Sequence, residues 1–115
     1  MLPPPKPNSP EMVAATNRVK YVIEQYAAAL NGRNEQALGE VRSGVTDTER
    51  ALLKAREVKV SLEVSSVDIS GTTATATCQQ NVDATAADGK PIRVSGTATF
   101  QLVRRPTGWM ITEIK

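Results

Sequence analysis

The chain has 115 residues, of which 40% are hydrophobic and 23% charged, and a net charge of +2, which is one domain's worth of polypeptide. No stretch approaches the ~20 apolar residues needed to span a bilayer. One cysteine excludes an internal disulfide, and the lack of histidine excludes Ser-His-Asp and Cys-His machinery and any Cys/His zinc site.

The charge is spread evenly. Residues 1–57 hold eight Lys/Arg against seven Asp/Glu, and residues 58–115 hold six against five. No basic face of the kind that binds nucleic acid follows from this. The densest basic cluster, Arg104-Arg105 beside Pro106, reads as a solvated turn. Five of the seven prolines fall within the first ten residues. Such a run favours polyproline II and cannot be helical or pair in a sheet. It contains no apolar core or cleavage site of a signal peptide. Residues 1–10 are therefore expected to be a proline-rich linker from a longer protein, with residues 11–115 as the domain and the compartment left open.

Ser9 is the expected cap of a first helix, with Pro10 in its first turn and Glu11 at the positive end of its dipole. Met12, Val19, Ile23, Tyr26 and Leu30 recur at helical spacing, and Asn31-Gly32 supplies the stop. Asn34 caps a short second helix ending at Ser43-Gly44. Thr46-Asp47-Thr48-Glu49 is a capping box opening a third helix that runs to about Glu57.

The period then changes to two. Val58, Val60, Leu62 and Val64 alternate with polar residues, the phase slips at Ser65-Ser66, and Val67 and Ile69 resume; one inserted residue of this kind predicts a β-bulge. Ser70-Gly71-Thr72 turns into a second strand that places Ala74, Ala76, Cys78, Gln80, Val82 and Ala84 on one face. Asp88-Gly89 centres a hairpin turn. The third strand points Ile92, Val94, Gly96, Ala98, Phe100 and Leu102 inward, and Trp109 to Ile114 form the last strand. Three helices followed by an antiparallel meander make an α+β domain. A third strand this long must bend, and Gly96 and the Ser65-Ser66 bulge are the expected places. The predicted architecture is three N-terminal helices packed in the concave face of a curved four-stranded antiparallel sheet.

This pattern resembles the nuclear transport factor 2-like superfamily, over roughly residues 11–115. The likeness rests on the long helix with tyrosine in its apolar stripe (Val22 to Leu30), the two short helices, the bulged strand, the hairpin at Ile69 to Ala76 and the closing Gly108-Trp109-Met110-Ile111. It is similar in particular to bacterial domains of this type that follow a linker in larger proteins. The resemblance implies a cystatin-like cone, with chemistry, where present, on side chains inside it, and self-association through the convex sheet face. No extra strand between the early helices is visible.

The polar residues aimed into such a cone are Tyr26, Gln80, Trp109 and Glu113. Asp68, Asp83 and Asp88 fall on outward phases or in turns, so no inward carboxylate pair exists to act as acid and base. The expectation is thus a chain that is not an enzyme and carries no cofactor or metal. The candidate ligand-binding residues are Tyr26, Gln80 and Trp109. Cys78 reads as a small buried hydrophobe. The small residues Ala74, Ala76, Ala84, Gly96 and Ala98 suggest close approach of helix to sheet, the alternative being a residual cavity. Thr73, Thr75, Thr77, Ser95, Thr97 and Thr99 form an almost uncharged outer face suited to a homodimer. The first functional expectation is a non-catalytic accessory domain for protein association, with itself or with other domains of a parent chain. Small-molecule binding or sensing in the cone is the alternative, and an isomerase- or cyclase-like enzyme the last. No nucleic acid and no inserted membrane is expected as a partner.

Overall fold

The computed structural model describes residues 10–106 and 108–115, with side chains from residue 13 onward. The proline run, the Ser9 cap and the Met12 side chain lie outside the described residues. Three helices, α1 (Pro10–Asn31), α2 (Glu35–Val41) and α3 (Asp47–Leu53), precede four strands, β1 (Glu57–Ser70), β2 (Thr73–Thr85), β3 (Pro91–Arg105) and β4 (Gly108–Ile114). The strands form one antiparallel sheet in the order β1-β2-β3-β4. The α+β architecture predicted above is the one observed.

The helical stripe does what its spacing demands. Val19, Ile23, Tyr26 and Leu30 are at most 6% exposed, while Lys20, Glu24 and Gln25 face water. Burial of each large apolar side chain in this row is worth about 2 kcal/mol. The end of α1 differs from the expected Asn31-Gly32 stop. Gly32 completes the last helical turn, its N–H donating to the Ala28 carbonyl at 2.9 Å. The left-handed position is Arg33, with φ of 50°. The Arg33 N–H donates to Leu30 and the Asn34 N–H to Ala29, which closes the helix in a Schellman arrangement.

Asn31 has another task. Its side-chain amide donates to the Val60 carbonyl at 2.9 Å and accepts from the Val60 N–H at 2.7 Å. The amide thus imitates a neighbouring strand and occupies peptide groups that the edge strand β1 would otherwise leave unpaired. This clasp joins the C-terminus of α1 to β1.

The two predicted bends are present. The β1–β2 register shifts between Val64 and Ser66, and the extra Ser65 hydroxyl donates to the Thr77 carbonyl at 2.9 Å. Gly96 sits at φ of 125°, a conformation that side-chain-bearing residues rarely adopt. A third irregularity escaped the alternation pattern: β4 shifts register between the Gln101–Glu113 and Leu102–Ile111 pairs, leaving Thr112 extra. The Thr112 hydroxyl donates to the Gln101 carbonyl.

Together these breaks curve the sheet around α1. The α1 backbone runs closest to the edge strands β1 and β4 and stands off from the central strands β2 and β3. The expected close approach over the small residues is therefore replaced by a different solution. Ala74, Ala76, Cys78 and Ala98 form a buried floor of small side chains, and large side chains fill the gap above it. Tyr26 meets Phe100 edge-to-face at 5.6 Å between ring centres, a favoured aromatic geometry.

Replacing Asn31 with alanine is expected to remove both bonds to Val60 and lower stability by about 1–2 kcal/mol. Urea unfolding measures this directly, and an unchanged midpoint would dismiss the clasp.

Candidate functional site

A cavity of about 170 Å³ remains where α1 and α3 face the open end of the sheet. One wall is apolar, built from Leu30, Leu52, Val60, Val82, Val94 and Ile114. The other is polar, built from Tyr26, Gln80, Arg42, Glu49, Thr46 and Thr48. Val94 is 39% exposed, and Thr46 and Thr48 are also exposed, so the cavity opens to solvent along this rim.

Each polar group is placed by a local rule. The apolar stripe of α1 carries Tyr26 inward. The alternation of β2 carries Gln80 to the same space, directly opposite Gly96 in the β2–β3 register. Gly96 lacks a Cβ, and none built there would meet an atom within 4 Å, so the floor beside Gln80 stays open. Among the described residues the Gln80 side chain forms no hydrogen bond.

Glu49 is positioned by the capping box of α3. Its Oε1 accepts from the Thr46 N–H and the Thr46 hydroxyl, both at 2.9 Å, while its own N–H donates to that hydroxyl at 3.2 Å. Arg42 is the C-cap residue of α2. Its Nε donates to Glu49 Oε2 at 3.1 Å and Oε1 at 3.3 Å. Its Nη1 donates to the Ser43 carbonyl at 2.6 Å. The backbone at Arg42 bridges in parallel to Ile111 of β4, and the Ser43 N–H donates to the Ile111 carbonyl at 2.8 Å. Both ionised side chains are about 95% removed from water, with 4% and 5% of their surface exposed.

These neighbours set the protonation states. Burial pushes the Glu49 carboxyl upward, but hydrogen bonds from the Thr46 backbone, the Arg42 guanidinium and the Thr46 hydroxyl, together with the facing Tyr26 phenol, outweigh it and hold the group below its ordinary value. Tyr26 is pushed far above an ordinary phenol, first by burial and then by the Glu49 charge it faces. The cavity therefore presents a fixed carboxylate, a fixed guanidinium and a neutral phenol, with no net charge.

Of the sequence-predicted site residues, Tyr26 and Gln80 come together in this cavity. Trp109 does not. It is buried on another side of α1, beneath a separate groove between α1, α2 and the β3–β4 hairpin. Glu113 is exposed beside Lys115, because the Thr112 bulge reverses the phase of β4 before it. Cys78 is fully buried, and burial pushes its thiol up to about 11, as suits a small core residue. Sequence reasoning missed Arg42 and Glu49. Glu49 was visible only as a capping residue, and no local pattern connects it to an arginine seven positions earlier.

No protein-family profile and no curated protein matches this sequence. Solved structures do match. A protein named as a candidate aromatic ring hydroxylase from Novosphingobium aromaticivorans superposes with TM-score 0.73 at 16% identity, over 89% of this chain and 87% of the other. A candidate dehydratase of the NTF2-like family from Streptomyces avermitilis gives TM-score 0.69 at 15% identity, over 90% and 95%. An NTF2-like protein with a cystatin-like fold, also from Novosphingobium aromaticivorans, gives TM-score 0.62 at 18% identity, over 93% and 88%.

This chain has the nuclear transport factor 2-like fold. The expectation that it is not an enzyme is overturned. It rested on an interior without a carboxylate pair to act as acid and base, whereas neighbours on the nuclear transport factor 2-like fold are named as candidate enzymes; the structure also buries a carboxylate missed in the sequence, Glu49, against the cavity.

The buried pair predicts a pH-dependent stability. Glu49→Gln leaves the Arg42 charge buried opposite a neutral amide, expected to cost about 3–5 kcal/mol at neutral pH. Because the folded carboxyl sits below its ordinary 4.5, its contribution is complete above that pH and lost as pH falls through the lower folded value. Urea unfolding across a pH series is thus expected to show a full deficit for the variant at neutral pH that narrows in acid. A variant as stable as the wild type at neutral pH would remove the pair from its structural role.

Proposed function

We propose that this domain binds a small, uncharged, single-ring molecule carrying a hydrogen-bonding head group, held in the cone beside Tyr26 and Gln80. The observation that carries this reading is the unpartnered Gln80 amide at the open end of a cavity whose ions are already neutralised by each other. An amide offers one acceptor and two donor hydrogens, so it orients a carbonyl, hydroxyl or amide equally well. A charged ligand would meet either Glu49 or Arg42 with the wrong sign. The size supports the same class, since a cavity of about 150 Å³ accommodates a benzene ring. The apolar wall of Val60, Val82, Val94 and Ile114 would pack on the ring face.

A thermal-shift series with phenol, benzamide and benzyl alcohol tests the proposal, with benzoate and benzylamine as charged counterparts. Neutral probes are expected to raise the melting temperature in proportion to occupancy. Gln80→Ala is expected to weaken binding about tenfold, the loss of a buried hydrogen bond, and Val94→Trp to abolish it by filling the mouth. Probes that bind no better than their charged counterparts, or that ignore both substitutions, would refute the site.

A second reading, association through the outer sheet face, is supported by the cross-strand rows Thr77–Thr99 and Gln79–Thr97, which carry no charge at the centre of the face. The flanking Asp83–Arg93 pair is exposed. Light scattering at micromolar concentration is expected to give twice the chain mass under this reading, and a monomer would exclude it.

A further inference from the structure

The groove above Trp109 is separate from the cone cavity, and its chemistry is different. It has a volume of about 940 Å³ and runs between α1, α2 and the β3–β4 hairpin. Its floor is apolar: Val22, Val41, Met110 and the buried Trp109. Its rim carries three exposed arginines, Arg18 from α1 and Arg104 and Arg105 from β3, against one carboxylate, Glu40. Ion pairs among the described residues involve Arg42, Arg50, Arg93 and Lys115, and none of these three. Tyr21, 61% exposed, stands at the same rim.

Exposed guanidiniums with no ion pair among the described residues, set around an apolar trough, are complementary to an anionic amphiphile. We infer that this groove docks an acidic peptide segment of another protein, its apolar side chains seated over Trp109 and its carboxylates held by Arg18, Arg104 and Arg105. Guanidinium forks suit carboxylates in two-point contact. Arginine and tyrosine beside an apolar centre match the composition of protein interfaces. A nucleic-acid strand fits less well. The Trp109 ring is covered and offers no face for base stacking, Glu40 repels phosphates along the α2 wall, and the whole chain carries a charge of only +2.

Trp109 is the only tryptophan, so its emission reports on the groove directly. The intact protein would be titrated with a synthetic peptide of glutamate pairs separated by single leucines. The same peptide with lysine in place of glutamate and an oligothymidine strand serve as comparisons. The acidic peptide alone is expected to shift Trp109 emission saturably, and the shift to weaken as salt is raised. The double substitution Arg104→Glu and Arg105→Glu is expected to weaken binding by at least about tenfold, from lost contacts and added repulsion. Arg50→Glu on α3 with Lys54→Glu at its C-cap makes the same change in net charge away from the groove and is expected to leave binding unchanged. Melting curves confirm that each variant is folded, and the milder Arg18→Gln provides a graded loss should the double reversal unfold. The inference is overturned by equal binding of the lysine peptide, by tighter binding of oligothymidine, by equal loss in the α3 variant, or by a concentration-dependent emission shift of the protein alone, which would assign the groove to a second copy.

Discussion

The ion pair between Arg42 and Glu49 is the constraint on which the interior depends. Two full charges removed from water are tolerable only if each meets the other and its remaining bonding positions are filled. Here they are. Thr46 supplies two donors to the carboxylate, and the Ser43 carbonyl takes a guanidinium hydrogen. The consequence is mechanical as well as electrostatic. The pair ties the end of α2 to the start of α3, and the backbone bridge at Arg42 ties both to β4. Two helices of seven residues each, too short to be stable alone, are thereby fixed against the sheet.

The sheet meets this arrangement by curving. Its floor is made of alanine, glycine and cysteine at positions where a flat sheet would carry larger side chains. The bulges at Ser65 and Thr112 and the unusual backbone at Gly96 let the edges rise towards α1. Side chains of Ile23, Tyr26 and Phe100 then fill the interior. Filling is incomplete at the open end, where Gly96 faces Gln80, and there a cavity remains. The α1 helix thus separates two concave surfaces, one internal and electrically neutral, the other external and rimmed by exposed arginines.

Neighbours on the same fold at 15–18% identity share its architecture alone, and function resides in the side chains placed upon it. A carboxylate locked to an arginine is a weak proton acceptor, and a phenol raised well above its ordinary pKa stays protonated. Such groups suit the neutral ligand proposed above, with Tyr26 and Gln80 lining a ring-sized space.

Much of this was legible in the chain because the signals are local. The stripe from Val19 to Leu30, the caps at Asn34 and Thr46, the alternation of β2 and the slip at Ser65 each depend on residues within a few positions of one another. They determined the element order, the α+β class and the inward direction of Tyr26 and Gln80. What only the tertiary structure decided involves partners far apart or shifts too small to mark. Trp109 and Tyr26 both face inward, yet α1 lies between their two concavities. A single extra residue at Thr112 turned Glu113 to solvent. Glu49 looked like an ordinary capping residue until folding laid Arg42 and the sheet against it. The direction in which a side chain points is a property of its own helix or strand, but its solvation and its electrostatic partner are properties of whatever the rest of the chain brings to that place.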